Sequence, residues 1–137
     1  MSARTADSLP LVADFMSKDL VTLTPEMEIN RAMNILLDRR ISGAPVLDSD
    51  GFLIGVLTKR DCLKAALDAS YYRDWGGRVE AYMSHPVTTI EASMDVISAT
   101  NLFIEKPFRR FPVMDGGKLV GQLSRTDALR ALASQWG

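Results

Sequence analysis

Two short stretches place a hydroxyl three residues before an acid, and both could bind a polar ligand. In the first half of the chain these residues are Thr58 and Asp61, and in the second half they are Ser124 and Asp127. An ionised aspartate only accepts hydrogen bonds, so its natural ligand is a donor such as the two neighbouring hydroxyls of a ribose. The same carboxylate would repel a phosphate, and any phosphate of the ligand must therefore be held by other residues.

The hydroxyl–acid spacing also has a purely structural interpretation. Ser or Thr followed three residues later by an acid is a common helix N-cap, in which the hydroxyl accepts a bond from a backbone N–H and the acid bonds back. Gly55 and Gly121 lie three residues before the two hydroxyls, and a glycine there leaves room for a ligand to approach the strand end. The cap and the ligand interpretations both stay open at this point.

The hydroxyls are predicted to lie where a buried strand ends and a helix begins. A short apolar run precedes each hydroxyl, and helical spacing of apolar residues follows it. In the first half, Thr24 is predicted to be the N-cap of an earlier helix, with Pro25 at its first position. The predicted elements are a turn at 11–16, an extended segment at 20–23, a helix from 24 to about 40, strands at 44–47 and 52–57 and a helix at 59–69, and then elements at 79–83 and 87–90, a helix at 94–106, strands at 111–114 and 119–123 and a helix at 125–135.

The two halves of the chain are copies of one unit. Residues 16–48 align with residues 83–115 without a gap, and the second copy is one residue shorter in the turn that follows. The identical pairs are Met16 and Met83, Ser17 and Ser84, Thr22 and Thr89, Met27 and Met94, Ala32 and Ala99, Asn34 and Asn101, Pro45 and Pro112, Val46 and Val113, and Asp48 and Asp115. Each copy has the order β-α-β-β-α, so we predict a mixed α/β (α+β) fold built as a tandem repeat.

Composition and charge exclude several classes of function. The 137 residues are 47% hydrophobic and 24% charged, as in an ordinary globular domain, and the formal net charge is −1. We therefore expect no binding to nucleic acid or to an anionic membrane, and no stretch approaches the ~20 apolar residues of a membrane span. Residues 1–10 are predicted to be a flexible N-terminus, and because they lack the apolar core of a signal peptide we expect a cytoplasmic protein.

Metal binding and catalysis have little support in the sequence. The single cysteine, Cys62, and the single histidine, His85, can form neither an internal disulfide nor a His/Cys metal site. They occupy non-equivalent positions of the two copies, which leaves a nucleophile–base pair poorly supported, and Cys62 is expected to pack in the core. Since no catalytic constellation is recognisable, we expect a protein that is not an enzyme.

The connection between the copies, residues 71–78, is rich in aromatic residues for a linker. Its glycines suit a bend, whereas Tyr71, Tyr72 and Trp75 are large side chains. Packing over the junction is one interpretation, and a surface that contacts a partner is the other.

The repeat resembles a tandem pair of cystathionine-β-synthase (CBS) domains, known as a Bateman module, from about Leu11 to Ala133. The motifs that carry the resemblance are the Met-Ser starts at 16–17 and 83–84, the Thr-Pro helix opening at 24–25, the segments 41–48 and 108–115, and both Gly-x-x-Ser/Thr-x-x-Asp endings. The resemblance implies a first repeat at 11–70, a linker at 71–78 and a second repeat at 79–137. It also implies that the repeats pack about a pseudo-twofold axis and leave two clefts for ligands such as AMP, ADP, ATP or S-adenosylmethionine.

By this resemblance, each cleft acquires a set of candidate ligand-binding residues. In the first cleft Ser124 and Asp127 would hold the ribose, Ile41 and Ser42 the adenine, and Arg109 the phosphates. Thr24 would line this cleft and Ile29 would lie against the adenine. The second, weaker set consists of Thr58, Asp61, Val96, Phe108 and Arg110. That cleft carries Glu91 in place of Thr24, a carboxylate that would have to be neutralised or turned away from a nucleotide, and Arg109 and Arg110 are equally consistent with a solvated surface pair.

The sequence therefore predicts a regulatory module that senses an adenosine-containing ligand and signals to an unidentified partner protein. The alternative is a structural or interaction module whose cleft is empty or vestigial. A homodimer is also expected, as is common in the family, because apolar or small residues lie on one face of the last helix of each repeat. These residues are Cys62, Leu63, Ala66 and Leu67 in the first repeat and Leu129 and Leu132 in the second.

Overall fold

The computed structural model describes residues 9–73 and 76–136. Most of the predicted flexible N-terminus, and Trp75 of the predicted linker, lie outside these ranges. Within them, Pro10 is already buried, and its carbonyl accepts a hydrogen bond from the Val96 N–H at 2.9 Å. The elements are α1 (Val12–Phe15), α2 (Ile29–Arg39), β1 (Gly43–Leu47), β2 (Leu53–Thr58), α3 (Lys59–Tyr72), α4 (Val79–Tyr82), β3 (Ile90–Glu91), α5 (Val96–Glu105), β4 (Arg110–Asp115), β5 (Lys118–Ser124) and α6 (Arg125–Trp136).

The chain forms two compact units, and their borders do not follow the sequence repeats. Of the described residues, those within Val21–Val87 form the central unit, and those up to Leu20 together with those from Thr88 onward form the terminal unit. Each unit contains an antiparallel hairpin and two longer helices, so the predicted mixed α/β fold with two repeats is confirmed.

The central unit is built on the hairpin of β1 and β2. Gly43 lies opposite Thr58 at one end of the pair, and a bulge between Val46 and Leu47 shifts the register at the other. The predicted extended segment at 20–23 forms no strand and contributes only a single parallel bridge, from Leu23 to Val46. The buried core residues of this unit are Leu23, Ile29, Ala32, Leu36, Ala44, Val46, Leu57, Cys62, Ala65 and Val79.

The terminal unit has a three-stranded sheet in the order β3-β4-β5. The short strand β3 runs parallel to β4, and β4 pairs antiparallel with β5. Phe111 on β4 is fully buried, and the centroid of its ring lies 4.7 Å from the ring centroid of Phe103 on α5. The buried core residues are Val12, Ile90, Ala92, Val96, Ala99, Phe103, Phe111, Val113, Leu123, Ala128 and Ala131.

The opening segment of each sequence repeat packs in the unit formed by the other repeat's hairpin. Ser17 and Gln122 of β5 exchange two backbone hydrogen bonds of 2.8 and 2.9 Å, which places α1 in the terminal unit. In the same way Ser84 and Val56 of β2 exchange bonds of 2.9 and 3.0 Å, which places α4 in the central unit. Backbone pairing of this kind satisfies donors and acceptors on the outer side of each hairpin.

The start of α2 and the end of α3 differ from the predicted helix boundaries. The helix α2 begins at Ile29 with Glu28 as its N-cap, because Pro25 lies instead in a turn that the Met27 N–H closes onto the Thr24 carbonyl at 3.2 Å. The helix α3 continues two residues into the predicted linker and ends at Arg73, which adopts the left-handed conformation with φ of 55°. Tyr71 and Tyr72 are therefore helical residues, 77% and 80% exposed, and they do not pack over the connection.

Candidate functional site

The hydroxyl–acid pair of the central unit forms a complete capping box at the start of α3. The Asp61 N–H donates to Thr58 Oγ1 at 3.2 Å, and the Thr58 N–H donates back to Asp61 Oδ2 at 2.9 Å. The other carboxylate oxygen of Asp61 accepts a hydrogen bond from Ser84 Oγ at 3.2 Å. Both oxygens of this carboxylate thus have partners within the unit.

The pair of the terminal unit repeats the cap at the start of α6 but differs at the second oxygen. The Asp127 N–H donates to Ser124 Oγ at 3.0 Å, and the Ser124 N–H donates to Asp127 Oδ2 at 2.9 Å. Asp127 Oδ1 faces Arg130 Nη1 at 3.4 Å, a long contact to an arginine that is 65% exposed. An exposed ion pair of this kind is weak, so Asp127 Oδ1 is the more available acceptor of the two sites.

The predicted caps at Thr58 and Ser124 are therefore confirmed, and a ligand can still bind beside them. A carboxylate offers about four acceptor positions, of which each cap uses one or two. The side chain of Asp127 is 18% exposed. Hydroxyls of a ligand can thus bind the same carboxylate that caps the helix.

The prediction that Gly55 and Gly121 leave room for a ligand is wrong. A Cβ at Gly121 would lie 2.7 Å from both the Met16 sulfur and the Ser17 carbonyl oxygen. At Gly55 a Cβ would lie 2.5 Å from the Met83 sulfur. The Met-Ser segment that opens the opposite repeat fills the space beside each glycine.

Two of the predicted ligand-binding residues, Ile29 of the first cleft and Val96 of the second, are core residues instead. Ile29 is 1% exposed in the core of the central unit, and Val96 is fully buried in the core of the terminal unit. Both begin a helix, and their apolar side chains pack beneath it. They offer almost no surface to a ligand, so the structure removes them from the candidate ligand contacts.

The remaining predicted residues of the central unit lie near the α3 cap or on the surface. The Ser42 carbonyl accepts a hydrogen bond from the Lys59 N–H at 2.9 Å, which holds the half-buried pair Ile41 and Ser42 beside Thr58. Thr24 is exposed and directly follows the Leu23 bridge. The structure thus brings together Ser42, Thr58 and Asp61.

The basic residues of the terminal unit lie beside the α6 cap. Arg110 is opposite Ser124 in the strand register, and the Arg125 N–H donates to the Arg109 carbonyl at 3.0 Å. Phe108 is 43% exposed, and its ring meets Phe111 edge-on at 5.9 Å. The structure thus brings together Phe108, Arg109 and Arg110 with Ser124 and Asp127.

Each predicted binding set draws residues from both units. Of the first set, Thr24, Ile29, Ile41 and Ser42 belong to the central unit and Arg109, Ser124 and Asp127 to the terminal unit. Of the second set, Thr58 and Asp61 are central, and Val96, Phe108 and Arg110 are terminal. The structure establishes only which predicted residues lie near the α3 cap in the central unit and near the α6 cap in the terminal unit.

Sequence reasoning missed two side chains that bear on these sites, Ser84 and Arg130. Ser84 is one of the identical residues in the repeat alignment, yet its contact with Asp61 depends on the segment packing against the other repeat's hairpin. Arg130 follows Asp127 by three residues on a helix, a spacing at which side chains meet, and this signal was available in the sequence.

The two residues considered for nucleophilic chemistry differ in burial. Cys62 is buried, as expected, and burial together with the Asp61 charge raises the pKa of its thiol. A thiol with a raised pKa is a poor nucleophile at neutral pH, and His85 is exposed. In the described part of the chain, no three His, Cys, Asp or Glu side chains gather as a metal site requires, and no helix is long and apolar enough to cross a bilayer.

Comparison with protein families assigns both repeats. The model of the CBS domain matches residues 12–68 and again residues 79–134. The chain belongs to the CBS-domain family. Among curated relatives, this chain is 28% identical over 125 residues to the uncharacterized protein MJ1225 of Methanocaldococcus jannaschii. The match covers 91% of this chain but only 44% of that protein.

Two solved CBS structures combine high coverage with a known ligand. The crystal structure of Arabidopsis thaliana CBSX2 in complex with AMP has a TM-score of 0.81 and 29% identity, covering 93% of this chain and 99% of that one. The CBS domain pair of protein MJ0100 in complex with 5′-methylthioadenosine and S-adenosyl-L-methionine has a TM-score of 0.77 and 25% identity, covering 93% and 98%. Related CBS pairs thus bind adenosine-containing ligands.

Proposed function

We propose that this CBS pair is a regulatory module that binds an adenosine-containing ligand of the AMP, ADP or ATP class, without catalysis of its own, and signals to a partner protein. The observation that carries the proposal is the carboxylate of Asp127. It caps α6 with one oxygen and keeps the other free of any short hydrogen bond within the described chain.

A ribose suits this carboxylate chemically. Its two neighbouring hydroxyls are donors, and hydrogen bonds to an ionised acceptor contribute about 1.5–3 kcal/mol each. Arg109 and Arg110 lie next to the same cap and supply the positive charge that a phosphate requires. The AMP and S-adenosylmethionine complexes of related CBS pairs support the same ligand class.

A thermal-shift panel with AMP, ADP, ATP, S-adenosylmethionine and a non-adenosine control such as GTP tests this function. A ligand present at about 100 times its Kd stabilises the native state by about 2.7 kcal/mol, which raises Tm by roughly 5–15 °C for a domain of this size. We expect such a rise with at least one adenosine ligand and a smaller one with GTP. If no adenosine ligand raises Tm, the alternative function as a structural or interaction module is favoured.

We also propose that the protein is a homodimer that covers apolar helix faces. In the central unit α2 and α3 line an apolar groove of about 320 Å³, and Leu63 at its edge is 70% exposed. In the terminal unit Leu129 on α6 is 69% exposed. Apolar surface of this kind commonly marks an interface, and a second copy supplies the matching face. Cys62, one of the predicted interface residues, lines this groove and also belongs to the core of the central unit.

Light scattering tests the dimer against the monomer mass of 15.1 kDa. The parent is expected at twice this mass at micromolar concentration, and Leu63→Glu is expected to weaken the dimer by about tenfold or more because it places a charge in an apolar contact. Lys64→Glu, at an exposed neighbouring position of the same helix, is the control and should remain dimeric. A parent that scatters as a monomer would exclude the proposal.

A further inference from the structure

Two serines occupy equivalent positions in the Met-Ser segments, Ser17 in the terminal unit and Ser84 in the central unit. They are one of the identical pairs of the repeat alignment. Each exchanges two backbone hydrogen bonds with the second strand of a hairpin, Ser17 with Gln122 of β5 and Ser84 with Val56 of β2. Both serines are exposed. The backbone frame that carries the two hydroxyls is therefore the same in the two units.

The hydroxyls of the two serines differ in what they bind. Ser84 Oγ lies 3.2 Å from Asp61 Oδ1 and 3.3 Å from Asp61 Oδ2, so it donates to the carboxylate of the α3 cap. Within residues 9–73 and 76–136, Ser17 donates no such bond to Asp127. The side-chain donor that Asp127 does face is Arg130 of the same helix, at 3.4 Å. A hydroxyl of the neighbouring segment thus binds the cap carboxylate in the central unit alone.

The donors already bound to Asp61 leave it little capacity for a ligand. Besides Ser84, the Thr58 N–H and the Thr58 hydroxyl donate to Asp61 Oδ2 at 2.9 and 3.0 Å. A carboxylate has about four acceptor positions, and these donors make four contacts with Asp61. Asp127 accepts one short bond within the described chain, from the Ser124 N–H at 2.9 Å. A ribose hydroxyl therefore has to displace Ser84 at the α3 cap and meets no such hydroxyl at the α6 cap.

We propose that the Ser84 hydroxyl is an internal competitor for the ligand at the α3 cap, an inference that rests on the proposed function. It imitates a ribose hydroxyl, because it is an O–H donor that backbone pairing holds within reach of the same carboxylate. Displacing an exposed hydrogen bond to a charged acceptor changes an equilibrium constant by about tenfold. The Kd of the α3 cap is therefore about tenfold higher than it is without this hydroxyl, and the α6 cap fills first as the ligand concentration rises.

Calorimetric titration of Asp127→Ala with AMP and ATP tests the competition, because this variant leaves the α3 cap as the intact site. Adding Ser84→Ala should lower Kd about tenfold, since alanine keeps the backbone pairing with Val56 and removes the hydroxyl. Adding Ser84→Thr, which keeps a hydroxyl, should leave Kd unchanged, and so should Ser17→Ala, the matched change in the terminal unit. Adding Asp61→Ala as well should abolish the gain from Ser84→Ala.

The outcomes separate this inference from the proposed function. If Ser84→Ala binds no more tightly in this background, or if Ser84→Thr binds as tightly as Ser84→Ala, the hydroxyl is not a competitor. The inference is then refuted, while nucleotide binding by the parent still supports the function. A gain that survives Asp61→Ala refutes the inference as well, because the α3 cap is then not the site. If the parent binds neither nucleotide, the inference and the proposed function fail together.

Discussion

Replacing Asp127 with Ala is expected to weaken adenosine-nucleotide binding by tenfold to several hundredfold. The carboxylate accepts from the ribose hydroxyls in the proposed complex, and a net loss equal to one such charge-assisted bond, about 1.5–3 kcal/mol, corresponds to this weakening in Kd. Asp61→Ala is expected to have a smaller effect. Asp61 already accepts a hydrogen bond from Ser84, which a ligand would have to displace, whereas Asp127 only faces the long contact to Arg130. Calorimetric titration of both variants with AMP and ATP measures the difference.

Melting curves of the same variants provide the control. Both aspartates cap a helix, so each alanine variant is expected to lose about 1 kcal/mol of stability. If the two variants lose equally in Tm, a difference between their affinities reflects lost ligand contacts and not lost stability. If Asp127→Ala melts earlier yet binds like the parent, the carboxylate is a cap alone and the ribose assignment is wrong.

Gly121→Ala is expected to lower the free energy of unfolding by about 2–3 kcal/mol, as overpacking of a tight contact does. The new Cβ would lie 2.7 Å from the Ser17 carbonyl oxygen, and this backbone is held by its pairing with Gln122. Gly55→Ala is expected to cost less, because its closest contacts are side-chain atoms of Met83. Chemical denaturation of the two variants tests the order.

Methionine truncations make a sharper comparison. Adding Met83→Ala to Gly55→Ala should restore about 1 kcal/mol of stability, since it removes the clashing side-chain atoms. Adding Met16→Ala to Gly121→Ala should restore little, because the clash with the Ser17 carbonyl oxygen remains. If Gly121→Ala is as stable as the parent but binds nucleotide more weakly, the space beside this glycine serves the ligand after all.

Much of the fold could be predicted from local patterns. The strand pairs, the helices α3 and α6 and both N-caps follow from short apolar runs and from a hydroxyl three residues before an acid. The start of α2 was misplaced because Thr24 and Pro25 satisfy the same local rule in a turn. A rule that considers only neighbouring residues does not distinguish the two outcomes.

The contacts that the sequence did not predict are those between distant segments. The space beside Gly55 depends on Met83, and the partner of Asp61 is Ser84. Neither contact has a signature in the spacing of neighbouring residues. Ile29 and Val96 were misassigned for a related reason, since a helical apolar position looks the same whether a ligand or the core covers it.

The exchanged Met-Ser segments also limit how this molecule can be divided. Cutting the chain at the repeat boundary near residue 78 would leave the C-terminal fragment without Ser17, the backbone partner of Gln122, and without Val12, a member of its core. The N-terminal fragment would likewise lose Val79 and the pairing of Ser84 with Val56. The two sequence copies are thus not two excisable modules: each half completes its neighbour's core, and the smallest transplantable piece is the intact pair.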